Sequence, residues 1–175
     1  MNCLWTIGFR RKTLKKRSGQ KASSSPPSPE VIFVDRSLGS QKVPAGLRAL
    51  GILVEVHDDH FPRDEDDTVW LQACGSNGWI VLTKDERIRR DPAEVRAIIA
   101  SGAHAIFIGR QDVTAEEMLQ DLTLALPRMM KRLAGAQKPT YLLVHKGGRI
   151  DRLAVEISRY GIPRLAVPRP KDSRT

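Results

Sequence analysis

Residues 31–35 read Val-Ile-Phe-Val-Asp, and residues 79–85 read Trp-Ile-Val-Leu-Thr-Lys-Asp. In each stretch an unbroken apolar run of four residues is followed, at once or within three residues, by an aspartate. Such short apolar runs are typical of strands that are buried on both faces, as in a parallel sheet. The two stretches therefore predict two buried parallel strands that deliver Asp35 and Asp85 at their carboxyl ends.

The chain around these two stretches alternates between similar apolar runs and helical patterns. Further strands are predicted at 52–56, 105–108 and 141–144, and helices at 43–50, 68–74, 92–100 and 115–133. This alternation favours a parallel sheet with helices on both faces. We therefore predict the α/β class, with three α/β/α layers and a central, mostly parallel sheet of about five strands. After Gly148, one more helix over 153–160 and a tail from 163 are expected.

Local signals mark several helix ends. Asp66 or Asp67 is expected to cap the helix at 68–74, and Gly75 to end it. The run Asp91-Pro92-Ala93-Glu94 supplies a cap, a first-turn proline and a reciprocal acid. A second capping box begins at Thr114, before a long helix in which Pro127 is expected to cause a kink. The apolar stripe of that helix comprises Met118, Leu122, Leu126, Met129 and Leu133.

Positive charge is concentrated at the two ends of the 175-residue chain, whose net charge is +9. Residues 1–30 hold seven basic residues and one acid, and residues 149–175 hold seven basic and three acidic residues. We predict a disordered basic, Ser/Pro-rich arm over 1–30, a folded domain over 31–148 and a partly disordered extension over 149–175. The arm is also of the kind that attracts nucleic acid, since clustered Lys and Arg release counterions from phosphates.

Composition argues against membrane insertion and secretion. No run of 18 apolar residues occurs, so a spanning helix is not expected. The basic run at 10–17 follows the short apolar start, whereas a secretory signal places its charges first. Cys3 and Cys74 cannot form a disulfide framework. We therefore expect a cytoplasmic protein without a membrane partner.

Acidic side chains gather where the predicted strands end. In a doubly wound sheet, ligands bind at the carboxyl ends of the strands. Asp35, Asp67 and Asp85 would meet there, and Mg²⁺ or Mn²⁺ would relieve the repulsion among their carboxylates. Each aspartate could instead be a turn or cap residue. His57 and His60 make only a weak case for zinc, and no glycine-rich loop indicates a nucleotide site.

The segments 33–39 (FVDRSLG), 57–62 (HDDHFP), 67–71 (DTVWL) and 78–85 (GWIVLTKD) resemble the PIN-like nuclease superfamily. The resemblance covers about 31–148 and is strongest to the VapC-type toxin branch. It implies a metal-dependent endoribonuclease that hydrolyses RNA phosphodiesters with a metal-activated water. Asp35, Asp67 and Asp85 would hold Mg²⁺ or Mn²⁺, Thr83 would steady the site, and Asp59 would be an extra acid.

The chain departs from the family pattern at the fourth acid. PIN nucleases often carry one near a later strand, and here Asp112 is the candidate. Arg36, Arg87 and Arg89 follow the proposed ligands closely and would pair with RNA phosphates. Surface ion pairs with the neighbouring acids are an equal alternative for these arginines.

The resemblance also implies partners and leaves alternatives. RNA would be the substrate and a cognate antitoxin the protein partner, and the sequence leaves a homodimer open. A catalytically silent PIN-like interaction module is the first alternative. A receiver-like signalling domain is the second, but it would place adjacent acids after its first strand, where this chain has Asp35 alone, although Lys146 follows the fifth.

Overall fold

The structure is a computed structural model that describes residues 30–134, 136 and 139–168. The basic arm predicted over 1–30 lies outside the described residues except for Glu30, as does the end of the chain from 169. Among the residues that are described, no helix has both the length and the apolar character needed to cross a bilayer.

Thirteen helices and strands of the described chain form the fold. Its strands are β1 (Val31–Val34), β2 (Leu53–Val56), β3 (Ile80–Thr83), β4 (Ala105–Ile108), β5 (Tyr141–Val144), β6 (Ile150–Ile157) and β7 (Pro163–Ala166). Its helices are α1 (Lys42–Ala49), α2 (His57–His60), α3 (Asp67–Asn77), α4 (Arg87–Arg90), α5 (Pro92–Ser101) and α6 (Ala115–Ala134). Short 3-10 turns follow β1 and β5.

The strands form one sheet in the order β2-β1-β3-β4-β5-β6-β7. Strands β1 to β5 pair in parallel, whereas β6 and β7 are antiparallel. The predicted α/β class and its mostly parallel sheet are therefore confirmed, and the five predicted strands are the five parallel ones.

Helices cover the sheet on both faces, as predicted. On one face, α1 and α6 pack on Ile32 and Val34 of β1. On the other, α3, α4 and α5 pack on Phe33. Because side chains alternate across a strand, β1 supplies both cores and is buried between them. The α6 stripe lies in the first core, with Leu126 only partly buried.

The helix predicted over 153–160 is wrong, because this segment lies in β6 and in the turn that leads to β7. Gly147 and Gly148 both have φ of +71°, which reverses the chain tightly after β5. The reversal sets Ile150 opposite Val144 and Leu153 opposite Tyr141. Pairing with the free edge of β5 therefore decides the structure of a segment whose apolar spacing also suits a helix.

Helix α3 is longer than predicted, because Gly75 does not end it. Asp66 caps the helix, with its Oδ1 accepting from the Thr68 amide at 2.8 Å. The helix continues to Gly78, whose φ is +69°. A Cβ on Gly75 would collide with the backbone carbonyl of Ser101 at the end of α5. Gly75 is therefore a close-approach residue between two helices.

We expect Gly75→Ala to lower the free energy of unfolding by about 1–3 kcal/mol, because a backbone carbonyl cannot move aside cheaply. Urea denaturation measures this loss. The matched control is Gly46→Ala in α1, where the new Cβ meets only the flexible end of Leu119. Because alanine also favours the helix, the control should lose much less. Equal losses in both variants would contradict the close-approach role.

Candidate active site

The site lies where the direction of the sheet connections reverses. From β1 the chain passes to α1 on one face, and from β3 it passes to α4 and α5 on the other. Strands β1 and β3 are neighbours, so a crevice opens beyond their carboxyl ends. Asp35 and Thr83 stand at these two ends.

Asp35 is a buried carboxylate held by two hydroxyl groups. Its side chain is 2% exposed, and its Oδ2 accepts hydrogen bonds from Ser37 Oγ at 2.5 Å and Thr83 Oγ1 at 2.6 Å. Burial raises the pKa of Asp35, and the negative charge of Asp67 raises it further, while the two hydroxyl donors oppose this change. Asp35 and Asp67 therefore act on each other electrostatically across the crevice.

Asp67 is the first residue of α3 but does not cap it, since Asp66 does so. Its Oδ1 accepts from Arg36 Nη2 at 2.6 Å and from Trp70 Nε1 at 2.9 Å. The other terminal nitrogen of Arg36 donates to the carbonyl oxygens of Arg63 and Glu65. Arg36 thus fixes the loop before α3 and the carboxylate of Asp67 together.

Asp85 is linked to Asp35 through Thr83. The Asp85 amide donates to Thr83 Oγ1 at 2.9 Å, and the same hydroxyl donates to Asp35. Asp85 Oδ1 then accepts from the Arg87 amide at 2.8 Å, at the start of α4. Thr83 therefore holds the ends of β1 and β3 in one hydrogen-bonded chain.

Glu94 is a further acid of this region, and the sequence predicts it only as a helix-capping residue. Its side chain is 6% exposed; Oε1 accepts from Arg87 Nη2 at 2.9 Å, and Oε2 has no hydrogen-bond partner. Burial, and then the charge of Asp67, raises the pKa of Glu94 to about 7. Asp91 alone caps α5. The spacing of Glu94 and buried Ile98, four residues apart on one helix face, is the signal that could have placed it inward.

A polar hollow of about 380 Å³ connects several of these groups. Its lining includes Arg36, Asp67, Arg87, Asp91 and Glu94. A slightly larger hollow, of about 420 Å³, lies elsewhere, beside Arg132 and Leu142. Only the first has several carboxylates, so it is the candidate active site.

Of the three predicted ligands only Asp67 lines this hollow; Asp35, Thr83 and Asp85 are not among its lining residues. Three other predicted site residues also lie outside it. Asp59 in α2 and Asp112 after β4 are exposed. Arg89 is 11% exposed, pairs with Glu86 at 3.2 Å, and lies 6.0 Å from the ring centre of Phe107. Of the three arginines predicted to bind RNA, the hollow brings together Arg36 and Arg87.

The donor groups suit a hard divalent cation. Asp35, Asp67, Asp85 and Glu94 offer carboxylate oxygens, which Mg²⁺ and Mn²⁺ prefer. In the described part of the chain, no three His, Cys, Asp or Glu side chains are grouped closely enough to hold an ion. Mg²⁺ is commonly held by one or two carboxylates and keeps its waters, and Glu94 Oε2 is unpartnered. The carboxylates present therefore suit such an ion as one or two direct ligands, with water completing its coordination.

The two histidines considered for zinc serve other contacts. His57 is fully buried, with Phe33, Phe61 and Trp70 around its ring. His60 Nε2 lies 2.7 Å from Glu55 Oε2.

The fold and this site define an α/β domain with an acidic centre at its strand ends. Residues 30–110 match the sequence model of the family described as PIN like domain. The chain is also 35% identical over 91 residues to "Putative ribonuclease VapC45" of Mycobacterium tuberculosis (strain ATCC 25618 / H37Rv). That alignment covers 50% of this chain and 66% of the relative, just under two thirds. No solved structure matches the chain significantly.

These similarities agree with the resemblance found in the sequence. Residues 30–110 are similar to the PIN-like family, and the relative's printed name is that of the VapC branch. The family match ends at residue 110, shortly after β4. Helix α6 and strands β5 to β7 therefore lie beyond the matched segment, and these three strands extend the sheet.

The raised pKa of Glu94 predicts a pH-dependent stability. The folded protein binds a proton at Glu94 more tightly than the unfolded chain does, since the pKa rises from 4.5 to about 7. This contribution is fully present below about pH 4.5 and is lost as the pH rises to about 7. Relative to Glu94→Gln, the wild type should lose at most about 3 kcal/mol over that range.

Urea denaturation in EDTA at a series of pH values measures this difference. Glu116→Gln is the control, because Glu116 is an exposed acid paired with Lys42 and its pKa is lowered rather than raised. A stability difference between wild type and Glu94→Gln that does not change with pH would rule out the raised pKa.

Proposed function

We propose that this protein is a metal-dependent endoribonuclease of the PIN-like toxin type, hydrolysing RNA phosphodiesters with an activated water. The observation that carries the proposal is that Thr83 links Asp35 to the Asp85 amide at neighbouring strand ends, within the segment that matches the PIN-like family. The similarity to a curated relative named as a putative ribonuclease supports it.

Asp35, Asp67 and Asp85 would hold Mg²⁺ or Mn²⁺, directly or through its waters. Glu94 would replace Asp112 as the fourth acid and would act as a base. A bound divalent ion lowers the pKa of a water molecule and polarises a phosphate. Glu94 is preferred over Asp112 because it lines the acidic hollow and keeps one oxygen unpartnered, whereas Asp112 is exposed. Asp59 is exposed on α2 and remains a predicted extra acid without a contact that supports it.

The chain's own groups supply orientation and proton transfer in this proposal. Ser37 and Thr83 fix Asp35 through its Oδ2. Glu94 Oε2 has no hydrogen-bond partner, so in this proposal it accepts the proton of the attacking water. Arg36 and Arg87 place guanidinium groups in the hollow, where they could neutralise the phosphate of the RNA.

The partners follow from the same proposal. The substrate is RNA, the cognate partner is an antitoxin protein, and the compartment is the cytoplasm. The proposal does not specify whether the protein acts as a monomer or as a homodimer. A catalytically silent interaction module is the alternative, and cleavage assays separate it from the nuclease.

We expect Asp35→Asn and Asp85→Asn each to abolish metal-dependent RNA cleavage. Each change removes a negative oxygen ligand while keeping the side-chain shape. The measurement is cleavage of a mixed-sequence RNA with Mn²⁺ or Mg²⁺ and with EDTA. Glu116→Gln, which changes an exposed acid paired with Lys42, should cleave like the wild type.

Two results would count against this assignment. A fully active Asp35→Asn protein would show that the site is misplaced. A folded wild type that binds Mn²⁺ and cuts no RNA would favour the silent interaction module.

We expect Glu94→Gln to lower the cleavage rate by about 10²-fold or more, as loss of a general base does. The part of the wild-type pH dependence that comes from deprotonation of Glu94 should be absent in Glu94→Gln. A pH–rate profile of both proteins at saturating Mn²⁺ tests this. If the variant keeps the same profile, Glu94 is not the base.

A further inference from the structure

The hairpin of β6 and β7 lies outside the segment that matches the PIN-like family. It adds the last two strands to the sheet and leaves β7 as an edge strand. Helix α4 packs against it, since Ile88 and Leu165 belong to the same apolar core. The same helix begins two residues after Asp85, so it joins the hairpin to the acidic site.

Two hollows lie between α4 and this hairpin, and both are lined by Arg90 and Arg164. Their volumes are about 350 and 550 Å³, within the range of ligand sites. Tyr160 and Ile162 line the first, and Arg89 and Leu165 line the second. We call the surface formed by Arg90, Tyr160 and Arg164 the hairpin surface.

The hairpin surface combines exposed positive charge with an exposed aromatic ring. Arg90 and Arg164 are 68% and 54% exposed. Arg90 pairs with Glu86, and Arg164 donates to Glu156 Oε2 from both Nε and Nη2; solvent screens both exposed pairs. The ring of Tyr160 is 73% exposed, with the Arg159 guanidinium 4.8 Å from its centre. Basic groups beside an open aromatic face are the features that bind single-stranded nucleic acid.

We propose that the hairpin surface binds the part of a single-stranded RNA that lies beyond the acidic site. Phosphates would pair with Arg90 and Arg164, and a base would stack on Tyr160. The choice of RNA as substrate rests on the proposed nuclease function. The binding surface itself is inferred from the exposure and the contacts of Arg90, Tyr160 and Arg164.

The placement of α4 favours RNA over an acidic protein as the occupant. Arg87 lines the acidic hollow, and Arg90 lines both hollows of the hairpin surface. These two arginines are three residues apart on one helix, a rise of about 4.5 Å. A single phosphodiester strand can therefore contact the acidic site and the hairpin surface at once.

The test is the anisotropy of a labelled single-stranded RNA titrated with Asp85→Asn protein in EDTA, at several salt concentrations. Added to that background, Arg90→Gln and Arg164→Gln should each weaken binding and lower the salt slope by about 0.7, the loss of one phosphate contact. Tyr160→Ala should weaken binding by about fivefold or more, with the slope unchanged. Lys131→Gln, an exposed charge on α6 across the sheet, should bind like the parent.

The proposal is overturned if the three hairpin variants bind like the parent, if Lys131→Gln weakens binding equally, or if the parent binds no RNA. It is also overturned if light scattering shows that Tyr160→Ala only splits a dimer, which would make this surface a protein interface. Cleavage by the wild type is measured separately. If the wild type cleaves RNA but the hairpin variants bind RNA like the parent, only the hairpin surface is rejected. If the hairpin variants lose binding but the wild type does not cleave RNA, only the nuclease function is rejected.

Discussion

The arrangement of the site depends on one buried negative charge at the centre of the sheet. A carboxylate that is only 2% exposed is costly unless hydrogen bonds satisfy it. Asp35 meets this need with hydroxyl groups from the turn after β1 and from the end of β3. Both segments are thereby fixed relative to each other. Because Thr83 also accepts from the Asp85 amide, the constraint extends to the start of α4.

Around this charge, each arginine of the site is paired with a carboxylate, so positive and negative groups lie next to one another. Arg36 holds Asp67 and two backbone carbonyl groups, and Arg87 holds Glu94. Without these guanidinium groups, the carboxylates would repel one another and the loop before α3 would lose its anchor. The same two arginines line the hollow, so the groups that stabilise this arrangement are also those proposed to contact the phosphate of the RNA.

The sequence correctly predicted the features that depend on local interactions, namely buried strands and helix caps. Buried parallel strands have unbroken apolar runs, and the predicted and observed bounds of β4 and β5 agree, as does the Thr114 capping box. Long-range contacts decided the features that the sequence predicted wrongly. Gly75 is required by the close approach of the α5 backbone, and β6 forms because it pairs with the free edge of β5. The order β2-β1-β3-β4-β5 is shared with flavodoxin-like sheets, so topology alone does not exclude a receiver. The assignment of Asp35, Asp67 and Asp85 came from their places at the predicted strand ends and from motif resemblance, whereas Glu94 emerged only once tertiary packing placed it beside Asp67.

The hydrogen bond from Trp70 Nε1 to Asp67 has a consequence for observing the protein. The indole is fully buried and stacks on Phe33, so its ring is shielded from water, while its one polar atom touches a proposed ligand. Any cation that draws the carboxylate away changes the electric field along the indole. If Asp67 binds a cation as proposed, binding would change the fluorescence of Trp70, which emits together with the two other tryptophans of the chain.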